Sequence, residues 1–200
     1  MMPVSIDDLV RKCQEIRYTV ADVIGRLGVG HIGGSFSIVE AMVVTYYKYM
    51  RIDPAAPKKE GRDRFILSKG HAGPTLYAIL ADLGFFHAEL LHTLNRNGTS
   101  LPSHPDIKST PGVDMTTGSL GQGLSCALGA ALASRYRNDG ARIYAAIGDG
   151  ESQEGQIWEA AMYAAHAKLD NLLVFTDFNN LIIDGTVDEM NDLEPLDKKW

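Results

Sequence analysis

Residues 143–176 contain two short apolar segments separated by a stretch with helical periodicity. The first segment covers residues 143–147, the second covers residues 172–176, and the helical stretch covers residues 158–167. Two buried strands joined by one helix run in the same direction, because the helix carries the chain back to the starting edge of the sheet. This unit therefore predicts an α/β fold in which helices flank a parallel sheet.

The rest of the chain supports one domain over residues 1–200, a length at which a single core is common. Residues 5–27 have the periodicity of an amphipathic helix with Ser5 as its N-cap. Glycine-rich residues 28–34 and polar residues 53–64 predict loops, and residues 95–117 predict a long irregular stretch. The further elements expected are helices at 37–50, 74–83 and 121–136 and a strand at 65–67.

Composition excludes several classes of protein. The chain has 19 Lys and Arg against 25 Asp and Glu, a formal charge of −6, and no basic stripe of the kind that binds nucleic acid. No apolar run is long enough to span a membrane, and the first residues lack the pattern of a secretory signal. Cys13 and Cys126 are expected to be free thiols. These features predict a cytoplasmic protein without a nucleic-acid or membrane partner.

Two polar side chains follow the two predicted parallel strands. Asp149 comes just after the first strand and Asn179 just after the second, so both are expected at the carboxyl edge of the sheet. A carboxylate and an amide oxygen suit Mg²⁺, and the glycines around Asp149 let backbone N–H groups approach an anion. The pattern favours a polyphosphate held with one divalent metal ion. The alternative is that Asp149 and Gly150 only form a turn and cap the next helix.

Five sequence blocks extend this pattern and resemble the transketolase family. Gly148-Asp149-Gly150 followed by Asn179-Asn180 is similar to the thiamine diphosphate motif. The blocks GHIGGSFS, LSKGHAGPTLYA, SHPD, TTGSLGQGLS and GDGESQEGQIWEA resemble transketolase blocks and occur in the same order. The resemblance implies a thiamine diphosphate-binding fold. It also implies the N-terminal subunit of a split transketolase.

The resemblance assigns expected roles around the cofactor. Asp149 and Asn179 match the side-chain ligands of Mg²⁺, and Leu181 matches the residue that offers a backbone carbonyl. The positions that match cofactor contacts are His71, Gly118, Ser119, Leu120, Gly150 and Asn179. The cofactors expected are therefore thiamine diphosphate and Mg²⁺.

Three further residues match catalytic positions of the family. His31 and His104 match histidines of the substrate channel, where imidazoles exchange protons with sugar hydroxyls. Glu154 matches a buried glutamate that links paired active sites across a dimer. The other three histidines, His87, His92 and His166, are predicted to be ordinary surface or packing residues.

The implied reaction transfers a two-carbon ketol unit from a ketose phosphate to an aldose phosphate. In the family a pyrimidine-binding domain supplies the glutamate that activates the cofactor, so a C-terminal transketolase subunit is the expected partner. The chain is expected to be inactive alone and to assemble as a dimer of heterodimers. One residue departs from the family pattern, because Ile32 stands where proline is usual. The identities of the donor and acceptor sugars therefore stay undetermined.

Alternative functions have weaker support. Residues 28–33 fit the G-x-G-x-x-G pattern, but that pattern must follow a strand, and here it follows a predicted helix. A zinc hydrolase is disfavoured because the sequence has no H-x-x-x-H or C-x-x-C pair. Another thiamine diphosphate-dependent enzyme component, or a catalytically incomplete half that only binds a partner, stays open.

Overall fold

The computed structural model describes residues 4–200. Three parallel strands form its main sheet in the order β1-β2-β3, so the strand that comes second in the chain is central. The strand bounds are Arg64–Leu67 for β1, Ile143–Gly148 for β2 and Leu172–Asp177 for β3. The predicted parallel α/β architecture is confirmed.

Eight α-helices and several shorter elements surround the sheet in the described part of the chain. The helices are α1 (Ile6–Leu27), α2 (Ile32–Phe36), α3 (Val39–Val44), α4 (Gly73–Asp82), α5 (Gln122–Arg137), α6 (Gly155–His166), α7 (Val187–Asn191) and α8 (Leu196–Lys199). A π-helical turn covers Thr45–Tyr49, and 3₁₀ turns cover Gly70–Ala72, Ala88–Thr93 and Gly150–Gln153. A small antiparallel hairpin follows β3 and pairs β4 (Leu181–Ile182) with β5 (Gly185–Thr186).

Each face of the sheet is covered by its own helices. Successive side chains of a strand point to opposite faces, so Phe65 and Leu67 join one apolar layer while Ile66 joins the other. The first layer includes α1, α3 and α4, and the second includes α5 and α6. Burial of both faces explains why every residue of β2 is buried.

Helix α1 begins and ends as the sequence predicts. The Ser5 hydroxyl accepts a hydrogen bond from the backbone N–H of Asp8 at 3.1 Å, and the Asp8 carboxylate accepts one from the Ser5 backbone. This capping box satisfies two donors at the helix start. At the other end Gly28 has φ 75°, a left-handed conformation that glycine adopts without strain.

Two expectations about residues 28–50 are wrong in part. The glycine-rich segment is not entirely a loop, because α2 begins within it at Ile32. The expected helix over 37–50 is divided into α3 and the π-helical turn at Thr45–Tyr49. The Thr45 hydroxyl donates a hydrogen bond to the carbonyl of Ala41 at 2.6 Å, which competes with the regular helical pattern there.

The remaining expectations agree with the structure to within a few residues. Residues 95–117 contain no helix or strand, as predicted, and α6 begins three residues earlier than expected, at Gly155. Within residues 4–200, no helix has the length and apolar character needed to cross a membrane.

Candidate functional site at the carboxyl edge of the sheet

Asp149 lies buried where β2 ends and is 2% exposed. Its Oδ1 accepts a hydrogen bond from the backbone N–H of Gly150 at 2.8 Å, and its Oδ2 accepts one from Asn180 at 2.6 Å. The parallel strands therefore bring Asp149 to the turn that contains Asn179, as the sequence predicts. Asp149 also caps the following 3₁₀ turn, so the capping role considered in the sequence analysis is present.

Asn179 and Leu181 flank Asn180, whose backbone N–H binds the Asp149 carboxylate. The Asn179 side-chain oxygen accepts a hydrogen bond from the backbone N–H of Leu181 at 2.9 Å. Within residues 4–200, no three His, Cys, Asp or Glu side chains are grouped to hold a metal ion. The ligands that the resemblance implies are instead one carboxylate, one amide oxygen and one backbone carbonyl. That set of hard oxygen donors fits Mg²⁺, which normally completes its shell with phosphate oxygens and water.

Glycines bring backbone segments close together around this edge. A Cβ atom on Gly150 would lie 2.5 Å from Cγ2 of Ile182. A Cβ on Gly70 would lie 2.8 Å from the backbone nitrogen of Gly118, and Gly118 itself has φ 134°. Only glycine allows these approaches without displacement. The segments at Gly70, Gly118 and Gly150 together form a glycine-lined cradle at this edge of the sheet.

Three of the predicted histidines cluster beside the cradle. The His31 ring centre lies 5.5 Å from that of His71 and 6.0 Å from that of His104. Burial, followed by the positive charges of Lys69 and the neighbouring histidines, lowers the pKa of His71 to about 4. Burial and His31 also lower the pKa of His104. At neutral pH His71 is therefore uncharged and offers one ring nitrogen as donor and one as acceptor.

The segment expected to touch the cofactor rings lies next to this cluster. A Cβ on Gly118 would lie 2.9 Å from the His104 ring, so the two are in close contact. Ser119 and Leu120 are exposed. Residues 118–120 therefore form an accessible wall beside the three histidines.

Glu154 does not lie in a buried environment in this chain. It is exposed, whereas the resemblance implies a buried glutamate. Gly121 packs against Glu154, since a Cβ on that glycine would lie 3.0 Å from Cβ of Glu154.

The buried glutamate of this turn is Glu151, which was not among the predicted site residues. Its carboxylate accepts hydrogen bonds from the Ser68 hydroxyl and from the backbone N–H groups of Gly121 at 2.9 Å and Gly148 at 3.1 Å. Burial raises the pKa of Glu151. This side chain joins the ends of β1 and β2 to the segment that precedes α5. Its place within GDGESQEG is the signal that could have identified it.

A buried ion pair behind the site was also missed. Lys69 and Asp177 form a salt bridge with side chains that are 1% and 8% exposed. The Ser37 hydroxyl donates a hydrogen bond to Asp177 Oδ2 at 2.6 Å. Burying both charges together avoids the large cost of burying one alone. Lys69 lies two residues before His71, and Asp177 is the last residue of β3. These places in the sequence are the signals that could have indicated that both residues lie near the site.

The three remaining histidines lie away from the cluster. His87, His92 and His166 are exposed.

The chain is similar in sequence to known proteins. Residues 10–199 match the family model described as the thiamine diphosphate binding domain of transketolase. The chain is 56% identical over 193 residues to the 6-deoxy-6-sulfo-D-fructose transketolase subunit SqwG of Clostridium sp. strain MSTE9, covering 96% of this chain and 70% of that protein. It is 38% identical over 195 residues to one of the apulose-4-phosphate transketolase subunits of Phocaeicola vulgatus, covering 98% of this chain and 69% of that protein.

Solved structures show the same fold. The transketolase of Campylobacter jejuni superposes with a TM-score of 0.89 at 32% identity, covering 98% of this chain and 32% of that chain. The transketolase of Leishmania mexicana gives a TM-score of 0.88 at 30% identity, covering 98% and 31%. The chain thus spans about a third of these solved transketolases. Together these findings show that the chain belongs to the transketolase family and carries its thiamine diphosphate binding domain.

Proposed function

We propose that this chain is the cofactor-binding half of a split transketolase-type enzyme that transfers a two-carbon ketol unit from a ketose to an aldose. The observation that carries the proposal is the buried Asp149 carboxylate, held against the Asn179–Asn180 turn inside a glycine-lined edge of the sheet. Two relatives that this chain mostly covers are named as transketolase subunits, which supports the split organisation.

Different residues at the sheet edge bind different parts of the cofactor in this proposal. Asp149, Asn179 and the carbonyl of Leu181 hold Mg²⁺ in this proposal, and Gly150 and His71 contact the diphosphate. Residues 118–120 flank the rings. Thiamine diphosphate, when bound, supplies the carbon nucleophile that accepts the ketol unit.

The histidines act on the sugar in this proposal. Ketol transfer requires hydroxyl groups to lose and regain protons. Since burial favours the uncharged form of His104, its ring can accept a proton from a sugar hydroxyl and return it. The ring centres of His31 and His104 lie 6.0 Å apart, and His31 is exposed. In this proposal the two rings therefore extend from the surface of the chain to the cofactor site.

The partner in this proposal is a C-terminal transketolase subunit with the pyrimidine-binding domain, and the assembly is a dimer of heterodimers. Glu154 is exposed, so its carboxylate is accessible to a second subunit. Residues 1–200 act as one domain in this proposal, in the cytoplasm.

We also propose an identity for the donor sugar, which is a 6-deoxy-6-sulfo ketose in place of a ketose phosphate. The support is the 56% identity to a subunit named for 6-deoxy-6-sulfo-D-fructose, against 38% for a subunit named for apulose 4-phosphate. Ile32, 45% exposed beside His31, also departs from the proline that is usual in the family.

The proposed function is tested by expressing this chain with a tag in the cells that make it and purifying the assembly through the tag. A native mass spectrum of the purified assembly is expected to show a second, different subunit together with thiamine diphosphate and Mg²⁺. An assembly of this chain alone, without cofactor, would contradict the proposal.

The same preparation tests the donor. Release of a two-carbon unit to an aldose acceptor is measured with a 6-sulfo ketose and with the matching 6-phospho ketose. The sulfonated donor is expected to give the higher kcat/KM. A preference for the phosphorylated donor would remove the sulfonate proposal and leave ketol transfer intact.

A further inference from the structure

The Ser37 hydroxyl connects the end of α2 to the candidate metal site. It lies next to three groups of the carboxyl edge: Asp177 Oδ2 at 2.6 Å, Lys69 Nζ at 3.4 Å and Asn179 Nδ2 at 3.4 Å. Ser37 and Asn179 are 142 positions apart in the sequence. The fold therefore brings this hydroxyl specifically to the side chain of a proposed Mg²⁺ ligand.

The direction of each hydrogen bond follows from the chemistry of the groups. The neighbours that accept from Ser37 are the Asp177 carboxylate and, at 3.3 Å, the carbonyl of Gly34. Neither can donate, so the single hydroxyl hydrogen of Ser37 is taken by an acceptor. Its oxygen can then only accept from Asn179, and the NH₂ end of that amide must face Ser37.

Fixing one end of the amide also fixes the other. With the NH₂ group of Asn179 turned to Ser37, its oxygen lies on the opposite side, where it accepts a hydrogen bond from Leu181. Asp149 binds the same turn through the backbone N–H of Asn180. The oxygen of Asn179 is thus held toward the segment where the other proposed metal ligands lie. An amide turned by 180° would present two N–H donors there, and these cannot bind a cation.

We propose that Ser37 is a positioning residue that orients the Asn179 carboxamide so that its oxygen, and not its nitrogen, is available to Mg²⁺. The inference rests on the proposed function, because it concerns the metal of that site. Asp177 takes the Ser37 hydrogen, and Lys69 holds Asp177 in place through the buried salt bridge. Groups that orient metal ligands in this way affect metal affinity by roughly 10-fold or more.

Ser37→Ala tests the proposal in the complete enzyme isolated through a tag on this chain. Binding of Mn²⁺, as a paramagnetic substitute for Mg²⁺, is measured by electron paramagnetic resonance in the presence of thiamine diphosphate. We expect Ser37→Ala to weaken Mn²⁺ binding by about 10-fold. Ser37 is exposed, so Ser37→Thr can accommodate its extra methyl group, keeps the hydroxyl and is expected to restore binding to within about 2-fold of the unmodified enzyme.

One control variant and one further measurement distinguish the positioning role of Ser37 from a general loss of structure. Thr19→Ala removes a hydroxyl on α1 that donates a hydrogen bond to the carbonyl of Glu15, and it is expected to leave Mn²⁺ binding unchanged. In the Ser37→Ala enzyme, the Mg²⁺ concentration for half-maximal activity is expected to rise while kcat at saturating Mg²⁺ stays near that of the unmodified enzyme.

The outcomes distinguish this inference from the proposed function. Equal Mn²⁺ affinity in Ser37→Ala and unmodified enzyme overturns the positioning role and leaves the proposed function standing. Loss of affinity that Ser37→Thr fails to restore overturns it as well, because a hydroxyl is then not what matters. If the unmodified enzyme itself binds no Mn²⁺ with thiamine diphosphate, both the inference and the proposed function fail.

Discussion

Acidification is expected to destabilise the fold through His71. Burial, Lys69 and the neighbouring histidines lower the pKa of the folded-state ring from 6.5 to about 4. Between these pH values the unfolded chain binds a proton at His71 and the folded chain does not. The stabilisation is therefore complete above pH 6.5 and is lost as the pH falls to about 4.

The size of this loss follows from the pKa difference. A shift of about 2.5 pH units corresponds to about 3.4 kcal/mol if the ring were fully shielded from water. His71 is only half-buried, and screening by solvent reduces this to about 2 kcal/mol. The free energy of unfolding is thus expected to fall by about 2 kcal/mol between pH 7 and pH 4 on account of this one side chain.

Urea denaturation of His71→Asn and of the unmodified chain at several pH values measures this contribution. The unmodified chain is expected to lose about 2 kcal/mol more than His71→Asn across that range. His166→Asn, which replaces an exposed histidine on α6, is the matched control and should follow the unmodified chain. NMR of the His71 ring gives its pKa directly. A His71 pKa between 6 and 7, or parallel pH curves for His71→Asn and the unmodified chain, would refute the reasoning.

Two further substitutions test the glycine cradle and the buried acid. Gly118→Ala places a Cβ 2.9 Å from the His104 ring at φ 134°, so it is expected to weaken thiamine diphosphate binding at least 10-fold in a calorimetric titration, whereas Gly129→Ala, with open space on α5, should bind normally. Glu151→Gln replaces one accepting oxygen by an NH₂ group among three donors, so urea denaturation should show a loss of about 2 kcal/mol. The exposed control Glu89→Gln should change stability by less than about 0.5 kcal/mol, and equal losses in both glutamine variants would contradict the role given to Glu151.

Local patterns made much of the fold predictable from the sequence. The β2-α6-β3 unit followed from apolar segments and helical periodicity within 35 residues of chain, residues 143–177. The start of α1 followed from Ser5 and the acidic residues after it, and the capping box is present. These features depend on neighbours in sequence, which is why sequence analysis identifies them.

The convergence of Asp149 and Asn179 was predictable for a different reason. It follows from topology alone, because the carboxyl ends of adjacent parallel strands lie at one edge. The pairing of Lys69 with Asp177 across 108 positions could not be predicted from the sequence. Such contacts depend on how separate elements pack, and a single sequence holds no direct record of that.

The interruption of the helix predicted at residues 37–50 was missed. Hydrophobic periodicity indicates which side chains share one face of a helix, but it does not distinguish an α-helical from a π-helical turn. Apolar residues in the 37–50 region follow a helical pattern in both α3 and the π-helical turn. The hydrogen bond from Thr45 to the Ala41 carbonyl accompanies the change, and threonine is also common in regular helices.

Calorimetric titration of thiamine diphosphate into the enzyme isolated through a tag on this chain tests the central claim most directly. Asp149→Ala is compared with Asp170→Ala, which removes an exposed carboxylate between α6 and β3, and circular dichroism confirms that both variants are folded. We predict Mg²⁺-dependent binding in the unmodified enzyme and in Asp170→Ala, and loss of that binding in Asp149→Ala. Equal affinity in the folded Asp149→Ala enzyme would show that the carboxylate at the end of β2 is not the metal anchor of this site.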